Sequence, residues 1–135
     1  MSASDSTARL LEAARAARLN AQAGFSGFKV GAALEAADGT IFTGCNVESA
    51  TYGQTMCAER VALFKALSDG QRAFSRVVVV TGAHAATPPC GACRQMLWEY
   101  GGNLEVILMN EAGLETGRHW LADLFPLPFD RRSLE

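Results

Sequence analysis

No apolar run in these 135 residues approaches the roughly 20 that a membrane-crossing helix needs. No membrane association is therefore expected. The chain also lacks a basic start leading into an apolar stretch, the mark of a secretory signal, so a cytoplasmic location is the expectation. Positive charge is not in excess: 12 Lys and Arg face 14 Asp and Glu, for a net charge of −2. Binding to nucleic acid rests on basic patches, so a polyanionic partner is not expected, while small neutral substrates stay open. Histidine is scarce, and His84 and His119 are isolated from the cysteines. There is no internal repeat and no linker. At 49% hydrophobic and 19% charged, the composition is that of a globular chain, and one domain over residues 1–135 is expected.

What the chain does hold is a sparse set of cysteines in a restrictive arrangement. Cys57-Ala58-Glu59-Arg60 supplies a thiol and, two residues on, a carboxylate. Pro89-Cys90-Gly91-Ala92-Cys93 supplies two more thiols at a spacing of three. Three thiolates suit a catalytic zinc site, in which three protein ligands leave a fourth position for water. Bound water then loses its proton near neutral pH. A structural zinc, a disulfide or a redox pair at Cys90 and Cys93 is the plainer alternative, since Cys-x-x-Cys alone does not decide among them. The cysteine pattern points to a reducing compartment. Cys45 stands outside the set and reads as a small core residue. A histidine as fourth ligand would close the site to water.

Taken in order, the chain opens with a polar start and a helix over Thr7 to Asn20 capped by Asp5 or Ser6. Leu10, Ala14 and Ala17 form its apolar side, and Arg9, Arg15 and Arg18 its wet one. After a loop at Gly24 to Gly27, Lys29–Glu35 and Ile41–Cys45 read as a hairpin turning at Asp38-Gly39. A polar loop, Asn46 to Gly53, follows. Cys57 to Leu67 and Cys90 to Tyr100 read as helices. Cys57 falls near a helix N-terminus, where the macrodipole favours a thiolate. Val77 to Val80 suits a central strand covered on both faces. Leu104 to Met109 is the next strand, Leu114 to His119 a short edge strand, and Leu121 to Phe125 one helical turn. Arg131 to Glu135 looks loose. Two strand–helix–strand units in succession call for a partly parallel sheet with helices on both faces, an α/β fold. Trp98 and Trp120 read as packing residues, and Arg94 as a solvent-facing helix position.

The two cysteine segments come close to the zinc-deaminase signature, with Cys57 where a His is common. Together with Phe28-Lys29-Val30-Gly31-Ala32-Ala33, Gly44-Cys45-Asn46-Val47-Glu48 and Pro126-Leu127-Pro128-Phe129, they make the chain resemble the small, homotetrameric cytidine deaminases over nearly all of Phe25 to Phe129. The resemblance implies a three-layer α/β/α sandwich with a five-stranded mixed sheet. It also implies hydrolytic deamination of cytidine and 2′-deoxycytidine to uridine and 2′-deoxyuridine with release of ammonia, a step of pyrimidine salvage. One zinc ion per subunit would sit on Cys57, Cys90 and Cys93, with zinc-bound hydroxide attacking C4. Glu59 would take the water proton and pass it to N3, and would then help protonate the departing amine at C4.

Further roles follow from the same resemblance. Asn46 and Glu48 match the residues that hold the ribose hydroxyls, and their chemistry suits that task. Phe28 matches the aromatic that packs on the pyrimidine, and the Ala58 backbone N–H a donor to the base carbonyl. Tyr52 and Phe129 match positions that reach into a neighbouring subunit's active site. Arg60 and Gln95 match residues behind the ligands; an arginine donating to sulfur offsets the formal charge of about −1 on three thiolates and one zinc. Phe25 and Met56 depart from the family pattern without touching the reaction centre. Two other readings stand beside deamination of the plain nucleoside. One is a deaminase of a cytosine-nucleoside antibiotic of the blasticidin S type. The other is a zinc-stabilised binding protein without catalysis, which would have no use for Glu59.

Overall fold

The computed structural model describes residues 3–83 and 85–135. It runs α1 (Ala3–Arg18), β1 (Val30–Ala36), β2 (Ile41–Cys45), α2 (Ala58–Ser68), β3 (Phe74–Thr81), α3 (Gly91–Gly101), β4 (Glu105–Asn110), β5 (Glu115–Trp120) and α4 (Leu121–Leu124). The strands form one five-stranded sheet in the order β2-β1-β3-β4-β5. Only β3 and β4 pair in parallel; every other neighbour is antiparallel. The valine run at its centre explains the layering. Successive strand residues face opposite sides, so Val77 and Val79 pack under α2 and α3 with Ala58, Ala62, Leu63, Ala66 and Leu97. Val78 and Val80 pack on the other face with Leu10 and Ala14 of α1. The expected α/β/α architecture is the one observed.

Small residues set how closely the layers approach. The face that α2 turns to the sheet is largely alanine. Opposite it in β2 lies Gly44, where a Cβ would stand 2.3 Å from the Ala58 carbonyl oxygen and 2.6 Å from the Ala62 nitrogen. Only a residue without a side chain lets the start of α2 lie against the strand. Lys65 Nζ fastens the other end of the helix to β2, donating to the Thr43 carbonyl at 2.6 Å. The positions of Cys57 and Glu59 are thus set by backbone packing against the sheet.

Several expectations need correction. Asp5 and Ser6 lie inside α1, which starts earlier than a cap there would allow. Arg18 does not belong to a solvated face: Nε donates to the Lys29 carbonyl at 3.0 Å and Nη1 to Glu111 at 2.8 Å, tying α1 to the sheet. Arg94 does not face solvent; Nε donates to the Pro89 carbonyl at 2.8 Å and Nη1 to the Leu124 carbonyl at 2.7 Å. Trp120 ends the edge strand β5 and is 53% exposed, whereas Trp98 packs on the core and donates its indole N–H to Asp130 at 3.0 Å. The last residues are not loose. Arg131–Leu134 form a short 3₁₀ helix in which Asp130 and Ser133 cap each other. Cys45 is only partly buried, being on an edge strand. His84 and the first two residues of the polar start lie outside the described residues.

Candidate functional site

Two helix starts meet at one point. Cys57 is the N-cap of α2 and Cys90 the N-cap of α3, both in extended backbone, and Cys93 lies in the first turn of α3. The three sulfurs lie within 4.8 Å of one another, with Cys57 and Cys90 at 3.6 Å. Sulfurs placed about 2.3 Å from one tetrahedral zinc stand about 3.8 Å apart, so the cluster fits that ion. Electrostatics agree. The Cys57 thiol is lowered to about 5 by the hydrogen bond from Cys93, with help from Arg60 and Cys90 and against burial. Cys93 is pushed up by the same bond and by its burial. A bound dication favours the deprotonated form of both thiols. Arg60 Nη2 donates to Cys57 Sγ at 3.4 Å, and its buried Nε finds no partner among the described residues. A guanidinium so placed belongs beside negative sulfur.

Glu59 sits beside this cluster in the first turn of α2, 5% exposed. Burial is the main reason its carboxyl is pushed up to about 7, with the Cys57 thiolate adding to the effect. A carboxyl at that value both accepts and releases protons near neutral pH.

A cavity of about 330 Å³ opens above the cluster, lined by Phe28, Asn46, Glu48, Cys57, Ala58, Glu59 and Cys90 among others. It is within the range that takes a small molecule. Its far side is built by a strip of backbone. Asn46 and Glu48 are two residues apart in extended chain, so both face one way. The strip is clamped on one side by Gln22, whose N–H donates to the Asn46 carbonyl and whose carbonyl accepts from Glu48, both at 2.9 Å. On the other side Val47 and Met56 exchange two bonds of 2.9 Å. The Asn46 amide bridges the carbonyl of Phe28 at 2.8 Å and the N–H of Val30 at 2.9 Å. Asn46 therefore holds the backbone at Phe28, and an amide retains one further hydrogen and one further lone pair for a ligand.

Most expected site residues thus converge: the three cysteines, Glu59, Ala58, Phe28, Asn46 and Glu48. Others do not. Tyr52 is 76% exposed and packs edge-on to Phe25 with ring centres 6.1 Å apart, away from the cavity lining. Phe129 is 61% exposed and lines a different hollow with Trp98 and Tyr100. Gln95 donates to the Phe129 carbonyl and to Glu99, each at 2.7 Å, rather than to a thiol. Sequence reasoning passed over Ser26, Thr55, Thr81 and Thr87, all of which line the cavity. Of these, Ser26 is readable only as part of the loop at Gly24 to Gly27.

Comparison with known proteins follows the same line. The family model for the cytidine and deoxycytidylate deaminase zinc-binding region matches residues 4–109. A cytidine deaminase of Sporosarcina psychrophila is 43% identical over 127 residues, 93% of each chain. The crystal structure of cytidine deaminase from Burkholderia pseudomallei is 48% identical with a TM-score of 0.87, covering 96% of this chain and 100% of that one. A blasticidin-S deaminase of Bacillus cereus is 30% identical over 111 residues, 76% of this chain and 77% of its own.

Proposed function

The chain belongs to the cytidine and deoxycytidylate deaminase family, and from that premise we propose how its residues divide the work of deaminating cytidine and 2′-deoxycytidine. Water replaces the amino group at C4, giving uridine or 2′-deoxyuridine and ammonia. The observation that carries the reading is Glu59: a buried carboxyl poised near neutral pH, beside three convergent thiols, at the inner end of a nucleoside-sized cavity.

Cys57, Cys90 and Cys93 would hold one zinc ion. Bound there, zinc would supply the Lewis acidity that makes water a nucleophile at neutral pH. Glu59 accepts one proton of the water and passes it to N3 of the pyrimidine; it then takes the second, from the new C4 hydroxyl, and delivers it to the amine as the C4–N bond breaks and the C4 carbonyl forms. Because the side chain is shielded from solvent, the proton it accepts is not lost to bulk water. Phe28 packs on the pyrimidine ring. The Ala58 N–H, at the start of α2, has no carbonyl to meet within the helix and donates to the base carbonyl. Asn46 and Glu48 hold the sugar hydroxyls. Arg60 spreads the sulfur charge.

Residues 1–135 act as one domain, a cytoplasmic step of pyrimidine salvage. No described helix is long and apolar enough to cross a membrane. The working form is a homotetramer with shared sites, and the exposure of Tyr52 and Phe129 outside their own cavity supports that reading. Gln95, bonded to the Phe129 carbonyl, then steadies the segment lent to the neighbour. The relative from Bacillus cereus makes a nucleoside antibiotic the first alternative substrate. The decisive test is ammonia release from cytidine by the zinc-loaded protein, with Glu59→Ala in parallel. Release lost in the variant is expected. No release from the intact protein would move the reading to the antibiotic, and then to a binding protein without catalysis.

A further inference from the structure

The rim of the cavity contains a hydroxyl with more connections than its exposed position would require. Ser26 Oγ–H donates to Glu48 Oε2 in a short contact. The same oxygen accepts the Phe28 N–H at 3.0 Å. Glu48 Oε1 meanwhile accepts from the N–H groups of Phe25 and Ser26, both at 2.9 Å. A carboxylate offers roughly four acceptor positions, and three are taken. The one left is on Oε2. These donors hold the Glu48 carboxyl below the usual carboxylate range, the Ser26 hydroxyl foremost. A glutamate side chain otherwise loses considerable rotamer freedom when it must hold one position.

We propose that Ser26 is a positioning residue for nucleoside binding: it fixes Glu48 so that one oxygen of the carboxylate presents a single free lone pair to a sugar hydroxyl, with the Phe28 N–H holding the serine oxygen in place. The inference rests on the nucleoside reading of the cavity. The serine's only hydrogen is committed to Glu48, so Ser26 acts through Glu48.

Binding of the reaction products tests this without turnover. Calorimetry on the zinc-loaded protein would compare uridine with 2′,3′-dideoxyuridine, which has the base but neither ring hydroxyl. Without the hold from Ser26, the Glu48 side chain must give up rotamer freedom when it meets the sugar, which weakens binding by about tenfold. Ser26→Ala is therefore expected to raise the Kd for uridine about tenfold while changing that for dideoxyuridine less than about twofold. Ser26→Thr, which keeps the hydroxyl, should restore most of the uridine affinity. In a Glu48→Ala background the Ser26→Ala change should have almost no further effect. Equal weakening of both ligands, or full additivity with Glu48→Ala, would overturn the proposal; so would a Ser26→Ala protein with unchanged uridine affinity. If uridine binds as described but cytidine is not deaminated, the positioning role stands and the catalytic reading falls. If the intact protein binds neither ligand, both fall.

Discussion

Replacing Gly44 by alanine tests whether sheet packing sets the position of the active site. The added Cβ would stand 2.3 Å from the Ala58 carbonyl oxygen, where ordinary contact begins at 3.4 Å. Something must therefore move by about 1 Å, the difference between those two distances. The atoms in the way are backbone at the start of α2, one residue from Cys57 and one from Glu59. Overpacking of this kind costs about 1–3 kcal/mol, a fall of several degrees in Tm for a chain of this size. The functional loss should be larger, because misplacing reacting groups by about 1 Å can cost about a hundredfold in rate. Gly31→Ala is the matched control. Its Cβ would stand 2.1 Å from the Ala14 carbonyl oxygen, on the opposite face, against a helix that carries no site residue. Both variants should lose stability, but only Gly44→Ala should lose kcat/KM by one to two orders of magnitude in cytidine turnover. If Gly44→Ala loses Tm yet keeps kcat/KM within about twofold, the edge strand β2 has yielded in place of α2, and the argument fails.

Three other perturbations are expected to separate the parts of the site. Cys90→Ala should lose both zinc and activity, read by metal analysis; stoichiometric zinc in the purified variant would remove Cys90 from the ligand set. Arg94→Met removes bonds to the carbonyls of Pro89 and Leu124, so a chelator should extract zinc about tenfold faster, each bond from a charged donor being worth about 1.5–3 kcal/mol; an unchanged extraction rate would show that the Cys90 loop holds itself. Phe129→Ala should lower kcat/KM with little change in Tm, since the ring is 61% exposed within its own chain; unchanged kinetics would end its assignment to a neighbouring subunit's site.

Local signals carried most of the fold. β2 spans the expected residues, and the valines at 77–80 alternate between two cores because period two is intrinsic to a strand. The helix starts at Cys57 and Cys90 follow from the apolar pattern, whereas the candidate ligand set comes from the family resemblance, since the spacing alone leaves a structural zinc, a disulfide or a redox pair open. What escaped the sequence was contact between distant segments. Arg94 has the periodicity of an exposed helical residue, yet its partners are carbonyls at positions 89 and 124. Arg18 likewise meets Glu111, 93 residues away. The reciprocal cap at Asp130 and Ser133 was hidden by two intervening arginines that look solvated. Ser26 was legible only as a loop former, because its partner Glu48 becomes a neighbour only through the clamp at Gln22 and Met56.

The separation of the ligands along the chain has a thermodynamic consequence. Cys57 and Cys90 are 33 residues apart, and closing a loop of that length costs about 3 kcal/mol in chain entropy. In a zinc finger the metal itself must offset such ordering, and the apoprotein is unfolded. Here each ligand-bearing helix is anchored by its own buried face, Ala58, Ala62, Leu63 and Ala66 in one case and Leu97 in the other. Hydrophobic burial brings the helix starts together, so the entropy of assembly is met during folding and does not reduce zinc affinity. Folding and metallation are then separable events. Removing zinc with a chelator is therefore expected to abolish activity while leaving the helical circular dichroism signal, and activity should return when zinc is added back; loss of the helical signal would refute this.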